Sequence, residues 1–287
     1  MTATTSPGPV IQPPSVLLMG GAGAGKTYSL ATLAEVGLDV FVIVTEPVGL
    51  DTLVDVFDKK NLMHKLHWHQ ITPSRPGFED LTKAGKLIST NTYETLAKMA
   101  PSGNRQNAKW LQLLTQLANF QDQRTGDSFG PVDAFPATSA LVIDSLSGLN
   151  LMAMDLVIGD KPNAHQGEWG VAMGLLEKLL LALTSGVKCT FVLTAHLEKE
   201  TNEVTGATQV MASALGRKLA PKLPRFFSEV VMAHRLGESF YWSTTSANVD
   251  LKNRSLPLGD KLEPSFKQVI DAYSKRLAAA TASRPAA

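Results

Sequence analysis

Short apolar runs that stop at small or polar residues recur along the chain and predict a buried parallel β-sheet. Such runs are typical of strands covered on both faces, and they occupy residues 16–19, 40–44, 140–144 and 187–193, with a shorter strand expected at 66–71. Segments with helical spacing follow, to about residue 36 and over 50–59 and 169–183. This alternation predicts an α/β fold with a mainly parallel sheet flanked by helices.

Two regions depart from the alternation of strands and helices. Residues 73–136 predict a helical insertion, with breaks near Pro101, Gly126 and Gly130. Its apolar stripe at helical spacing predicts one face packed on the core, and the stripe consists of Trp110, Leu113, Leu114, Leu117 and Phe120. Near the carboxyl end, three closing strands in antiparallel hairpins are expected at 229–234, 240–244 and 248–251.

The two ends of the chain lack periodicity. Residues 1–14 are rich in Thr, Pro and Gly and predict a flexible arm. A short helix is expected from residue 264, and the last residues, rich in Ala, Ser and Pro, predict a disordered tail. The expected organisation is the arm, one domain over 15–263 that includes the insertion, and a C-terminal segment over 264–287.

Composition narrows the class of protein. Of the 287 residues, 44% are hydrophobic and 18% are charged, which is ordinary for a soluble globular protein. The net charge is only +1, so a nucleic acid would have to be met by a local basic patch. The single cysteine, Cys189, excludes a disulfide framework. Because neither a signal peptide nor a bilayer-spanning apolar run is visible, we expect a cytoplasmic protein with no membrane partner.

The first strand continues into a glycine-rich loop that matches G-x-x-x-x-G-K-[ST]. Glycines let the backbone wrap a phosphate closely, so that successive N–H groups and the following helix N-terminus point at the anion. The predicted nucleotide-binding residues are Gly20, Gly21, Ala22, Gly23, Ala24, Gly25, Lys26, Thr27 and Tyr28. Lys26 would reach the β- and γ-phosphates, and the Thr27 hydroxyl would hold Mg²⁺. The motif therefore predicts a site for ATP and Mg²⁺.

Three polar residues follow the predicted parallel strands and face the crevice where open α/β sheets bind ligands. Glu46 could orient or deprotonate the water that attacks the γ-phosphate, or it is a solvated acid before Pro47. Asp144 would hold Mg²⁺, or it caps the helix that follows. His196 can sense a γ-phosphate and signal to the polar loop at 198–213, or it is a strand-end histidine without a ligand.

Two groups of basic residues suggest partners. Residues 214–235 carry a local charge of +4, and the candidate DNA-binding residues among them are Arg217, Lys218, Lys222 and Arg225. Such a patch could bind a phosphate backbone, although a solvated helix face explains it equally well. Lys252 and Arg254 lie two residues apart and would project on one side. They are either surface charges or cations that an oligomeric ATPase inserts into its neighbour's site.

The order of these residues resembles the RecA-like ATPase core, over about residues 15–258. More narrowly, it is similar to the compact phage-encoded ATPases of the Sak-type single-strand annealing and recombination group. The resemblance implies that Lys26 and Thr27 bind phosphate and Mg²⁺, that Glu46 handles the attacking water and that Asp144 supports the metal. His196 stands where the family has a polar γ-phosphate sensor, often a glutamine. Lys252 and Arg254 would act in trans across a subunit interface, and the loops after Asp144 and His196 would face DNA.

Taken together, the residues and the resemblance predict a Mg²⁺-dependent ATPase with a RecA-like fold. It would form a head-to-tail homo-oligomer, a ring or a filament, and act on single-stranded DNA in recombination or annealing, with or without a single-strand-binding protein. In a phage-encoded protein the location would be the host cytoplasm. One alternative is a nucleotide-controlled assembly or partner-binding switch that never touches DNA, and another is a ring helicase motor.

Overall fold

The apolar runs form the strands of a central sheet in the computed structural model, which describes residues 11–73, 76–99, 108–159, 161, 163–201, 206, 208–216 and 218–282. The strands are β1 (Ser15–Gly20), β2 (Asp39–Val44), β3 (Leu66–Gln70), β4 (Phe120–Gln121), β5 (Ser128–Gly130), β6 (Ser139–Asp144), β7 (Thr190–Ala195), β8 (Leu197–Thr201), β9 (Thr208–Ala212), β10 (Glu229–Leu236) and β11 (Ser239–Ser243). The helices are α1 (Lys26–Ser29), α2 (Ala31–Glu35), α3 (Gly49–Lys59), α4 (Phe78–Thr90), α5 (Tyr93–Lys98), α6 (Lys109–Ala118), α7 (Leu146–Ile158), α8 (Gln166–Gly186) and α9 (Lys267–Ala282).

Seven strands form the main sheet of the described chain, in the order β11-β10-β1-β7-β6-β2-β3. All neighbouring pairs are parallel except β10 with β11. Strands β1, β6 and β7 are buried along their whole length, which explains why their central residues are apolar. The predicted α/β fold with a mainly parallel sheet flanked by helices is confirmed.

The two faces of the sheet carry separate apolar cores. On one face, β1 and β2 pack against α2, α3 and α9 through large buried side chains such as Leu33, Phe57 and Phe266. On the other face, the strands pack against α6, α7 and α8 through Trp110, Leu149 and Leu176. Because both faces are covered, ligands have access only to the ends and edges of the strands.

The closing strands differ from the sequence-based prediction. The strand predicted at 229–234 is β10, and it pairs in parallel with β1 as well as antiparallel with β11. Residues 248–251 do not form the predicted third strand, and only a single antiparallel bridge joins Val230 to Lys252. The reason is that β11 covers β10 from Met232 onward, which leaves room for one bridge at the amino end of β10.

The insertion is only partly helical. After α4, α5 and α6 it continues into a small antiparallel hairpin of β4 and β5, whose glycines Gly126 and Gly130 have positive φ. Trp110 and Leu113 are buried as predicted, but Leu114 is exposed, and Phe120 packs from β4 rather than from a helix. Leu114 lies about 100° around α6 from Leu113 and so misses the face that packs on the core. The break predicted near Pro101 lies outside the described residues.

The C-terminal helix is longer than the short helix expected from the sequence. Phe266, just before α9, and Val269 within it are fully buried, and Phe266 makes an edge contact with Trp242 at a centroid distance of 4.9 Å. Most of the predicted flexible arm, residues 1–10, and the end of the predicted tail, 283–287, lie outside the described residues. Every helix in the described ranges is too short or too polar to span a bilayer.

Close contact between α7 and the end of β2 gives a stability prediction. A Cβ at Gly148 would lie 2.3 Å from Thr45 Oγ1 and 2.7 Å from Thr45 O. We expect Gly148→Ala to lower the free energy of unfolding by about 1–3 kcal/mol, because neither backbone can move away without disturbing the sheet. Urea unfolding measures the change. The matched control is Gly174→Ala in α8, where a Cβ meets nothing within 4 Å. This control should stabilise by about 0.4–1 kcal/mol, and equal effects of the two substitutions would contradict the contact.

Candidate functional site

The glycine-rich loop joins the carboxyl end of β1 to α1 and has the backbone of a phosphate-binding loop. Gly23 and Gly25 have φ of 70° and 83°, in the left-handed region that side chains disfavour. Lys26 Nζ donates to Gly20 O at 2.9 Å and to Gly21 O at 3.0 Å, so the amine lies against its own loop. Burial lowers the pKa of Lys26, while the negative charges of Asp144 and Glu46 oppose this shift.

The two predicted metal ligands meet at this loop. Thr27 Oγ1 donates to Asp144 Oδ2 at 2.8 Å, and the Thr194 hydroxyl at the end of β7 donates to Asp144 Oδ1. Because the carboxyl group is buried, the pKa of Asp144 is raised, and the two threonine hydrogen bonds and Lys26 only partly oppose this. A buried carboxylate beside a hydroxyl is a donor set that suits Mg²⁺.

Glu46 is held over the same edge of the sheet by two polar side chains. Its Oε1 accepts hydrogen bonds from the Ser145 hydroxyl and, at 2.9 Å, from His196 Nε2. Glu46 follows β2, Ser145 follows β6 and His196 follows β7, so three parallel strands deliver the three residues to one place. The acid and the histidine therefore form one hydrogen-bonded unit.

Thr45 fixes the ends of β2 and β6 to each other. Its hydroxyl donates to Ser145 O at 2.8 Å and accepts from Ser145 N at 2.7 Å, in a fully buried position. Ser145 is also the N-cap of α7, a role that the sequence left open for Asp144. The sequence-based prediction assigned no roles to Thr45, Ser145 and Thr194, although the hydroxyl residues directly flanking Glu46 and Asp144 were a usable signal.

Several predicted residues lie away from this group. The Tyr28 side chain is exposed and has the Lys60 amine 5.8 Å from its ring centroid. Lys252 and Arg254 are exposed at the amino end of β10, the opposite end of the sheet from the phosphate loop. The buried Glu229 carboxylate accepts from Arg254 N and Ser255 N, which fixes this segment. In this position, Lys252 and Arg254 do not enter the phosphate loop of their own chain.

The predicted basic patch is smaller than its sequence suggests. Arg217 lies outside the described residues, and Lys222 forms an ion pair with Glu177 of α8. Lys218 and Arg225 are exposed, and residues Ala220–Arg225 form a short 3₁₀ segment rather than a long helix. Arg235, counted in the same charge run, lies instead at the carboxyl end of β10. The patch reduces to two exposed cations among the described candidates.

The polar loop after His196 forms a hairpin. Strands β8 and β9 pair antiparallel from Leu197 with Ala212 to Thr201 with Thr208. The base of the hairpin is tied to His196, because Ser213 N donates to His196 O at 2.8 Å. The Asn150 side-chain amide of α7 donates to Ser213 O at 3.1 Å, so one backbone and one side-chain hydrogen bond join the hairpin to His196 and α7.

Comparison with protein families shows which family this chain resembles. A family model described as an AAA domain matches residues 12–255, which include the phosphate loop, Asp144, His196 and the closing strands. No curated protein matches the chain.

The raised pKa of Asp144 gives a prediction for the nucleotide-free protein. Because the ionised carboxylate is destabilised by burial, Asp144 contributes most stability below its unfolded pKa, and this contribution is lost as pH rises through the higher folded pKa. We therefore expect Asp144→Asn, which keeps an oxygen acceptor for Thr194, to unfold at higher urea concentration than wild type near neutral pH. The gain should shrink as pH is lowered from neutral toward the ordinary pKa of an aspartate.

Urea unfolding across that pH range, with EDTA present, measures this effect. An Asn variant that is less stable than wild type near neutral pH would contradict the assignment of burial as the dominant cause.

Proposed function

We propose, from the premise that the chain belongs to the AAA-domain family of nucleotide-binding ATPases, that it is a Mg²⁺-dependent, RecA-like ATPase acting on single-stranded DNA. The observation that carries this proposal is the junction of Glu46, Ser145 and His196 beside the Thr27–Asp144 pair. The narrower likeness to Sak-type phage recombination ATPases supports the choice of DNA as the partner.

Binding of the nucleotide would use the phosphate loop and the residues around Asp144. The loop amides and Lys26 would bind the phosphates, with the amine exchanging its contacts to Gly20 O and Gly21 O for phosphate oxygens. Thr27 and Asp144 would hold Mg²⁺, which neutralises phosphate charge when bound. The fit rests on the buried Asp144 carboxylate, whose hydrogen bonds are to two neutral hydroxyls and whose negative charge a cation would compensate.

Hydrolysis would depend on Glu46 as the general base. Its carboxylate accepts hydrogen bonds from Ser145 and His196, which fix its direction at the sheet edge. A γ-phosphate would compete with Glu46 for the His196 N–H, and this exchange would leave the carboxylate able to accept a proton from the attacking water. Because Ser213 N is bonded to His196 O, a shift of the histidine would also reach the β8–β9 hairpin.

Contact with DNA would be mainly electrostatic. The hairpin region 197–213 contains no aromatic residue on which bases could stack. Lys218 and Arg225 remain as exposed cations near the hairpin's carboxyl end, and such phosphate contacts weaken steeply with salt. A single-strand-binding protein could serve as an additional partner on the same DNA.

A second candidate function is a nucleotide-controlled switch that binds a protein partner and not DNA. The net charge of +1 favours it, and so does the neutralisation of Lys222 by Glu177, since both weaken the expected attraction to nucleic acid. The two candidates share the ATP site and differ only in what the hairpin face contacts.

The first test is steady-state ATP hydrolysis with and without single-stranded DNA at low and high salt. We expect DNA to stimulate turnover, and the stimulation to fall as salt rises, because counterions compete for the phosphates.

The variants in this assay test individual residues. Lys26→Ala serves as the inactive control, and Glu46→Gln should lower kcat by roughly 10²–10⁴ while ATP still binds. Lys218→Ala with Arg225→Ala should reduce the stimulation.

The matched control for the basic patch is Lys83→Ala with Lys267→Ala, two exposed lysines on α4 and α9. It removes the same charge and should leave stimulation unchanged. Turnover that is indifferent to DNA at both salt concentrations would remove the DNA proposal and favour the partner-binding switch.

A subunit-mixing experiment tests the head-to-tail assembly. Lys26→Ala lacks a working phosphate loop, and the double variant Lys252→Ala, Arg254→Ala lacks the cations proposed to act on a neighbour. Each should be inactive alone, but an equimolar mixture should regain about a quarter of wild-type turnover, because in a heterologous interface about one site in four then pairs an intact loop with intact cations. A mixture as inactive as its components would contradict action in trans.

A further inference from the structure

The hairpin of β10 and β11 lies directly beside the phosphate loop. Strand β10 pairs with β1 up to Ala233 opposite Gly20, so residues beyond Ala233 extend alongside the loop. The two strands are in close contact there, because a Cβ at Gly20 would lie 2.9 Å from Ala233 O. On β11, Phe240 packs against the loop, with its Cδ1 2.9 Å from where a Cβ of Gly25 would lie. The hairpin therefore forms one wall of the loop.

Arg235 presents a fixed cation on this wall. Its Nη1 lies 3.9 Å from the position of a Cβ on Gly23, which is an exposed residue in the middle of the loop. Its Nε donates to Gly237 O at 2.9 Å, and the guanidinium carbon lies 5.5 Å from the centroid of the Phe240 ring. Both contacts orient the guanidinium, so less side-chain freedom remains to be lost when an anion binds.

The charges of the site favour a further cation beside Lys26 and the proposed Mg²⁺ when a nucleotide binds. Glu46 and Asp144 place two carboxyl groups at the loop, against the single amine of Lys26. A nucleoside triphosphate adds several negative charges, and arginine binds phosphate through paired N–H groups. We propose that Arg235 is a nucleotide-binding residue that acts in cis, its guanidinium contacting the phosphate chain of the nucleotide in the loop. This inference rests on the proposed nucleotide site and adds a binding residue to it.

The phosphate that Arg235 contacts could also belong to the backbone of a nucleic acid. The position of Arg235 favours the nucleotide, because the guanidinium lies against Gly23 of the phosphate loop. The remaining exposed cations proposed for DNA, Lys218 and Arg225, follow the other hairpin, β8–β9, and belong to a different part of the chain. The experiment therefore measures ATP and DNA binding separately.

The test compares Arg235→Met with Arg235→Lys on the full chain. Both replacements keep an unbranched stem, and only the lysine keeps the charge. With Mg²⁺ present, we expect Arg235→Met to raise the Kd for ATP roughly tenfold or more, the loss expected for a charged hydrogen bond. Arg235→Lys should lie between Met and wild type. KM for ATP should rise with the Kd while kcat changes little, as for a contact made equally before and during the reaction.

Controls separate this contact from other roles of the side chain. Lys188→Met removes one positive charge near the amino end of β7, at the far end of the sheet, and should leave ATP affinity unchanged. Urea midpoints without nucleotide should match wild type, because Arg235 is exposed. The difference between Arg235→Met and wild type should shrink at high salt, where exposed charges are screened.

Three results would overturn the inference. These are wild-type ATP affinity in Arg235→Met, equal loss in the Met and Lys variants, or a loss of binding to a single-stranded oligonucleotide with ATP affinity intact. A wild-type chain that binds no ATP would instead remove the proposed function itself, so the two failures are distinguishable.

Discussion

The burial of the Asp144 carboxylate is the constraint on which the site depends. A charge at the end of a fully buried strand is tolerated only if neighbouring groups compensate it. Thr27 reaches it from α1 and Thr194 reaches it from the end of β7, and Lys26 adds a nearby positive charge. These contacts hold the carboxylate in one position beside the phosphate loop.

A second tie joins this buried group to the acid above it. The Thr45 hydroxyl bridges both backbone groups of Ser145, so the ends of β2 and β6 are fixed to each other. Glu46 and the Ser145 hydroxyl are thereby brought within hydrogen-bonding distance, and His196 completes the group from β7. The hairpin after His196 and helix α7, which Ser145 caps, both begin at this group.

Local sequence patterns predicted the structure correctly where it depends on backbone conformation or on a continuous apolar run. The phosphate loop needs glycines such as Gly25 in left-handed conformations, and the sheet needs uninterrupted apolar strands, so both are visible in the order of residues. The patterns failed where the exposure or pairing of a residue depends on which element packs beside it. Leu114 fits the helical stripe of apolar residues, but its side chain is exposed to solvent. Residues 248–251 have the composition of a strand, but β11 already pairs with the edge of β10 that they would need.

The sequence by itself therefore determined the α/β class, the phosphate loop and the polar residues that end the parallel strands. Strands of one direction must present their carboxyl ends at one edge, which is why Glu46, Asp144 and His196 could be grouped without a structure. Only the tertiary structure decided which charges are available. Glu177 of α8 forms an ion pair with Lys222 and neutralises its charge. Because β10 pairs with β1, Arg235 lies beside the phosphate loop and not in the basic patch that the sequence predicted. Charge counts along a chain carry no distances, and electrostatic interactions depend on distance and burial.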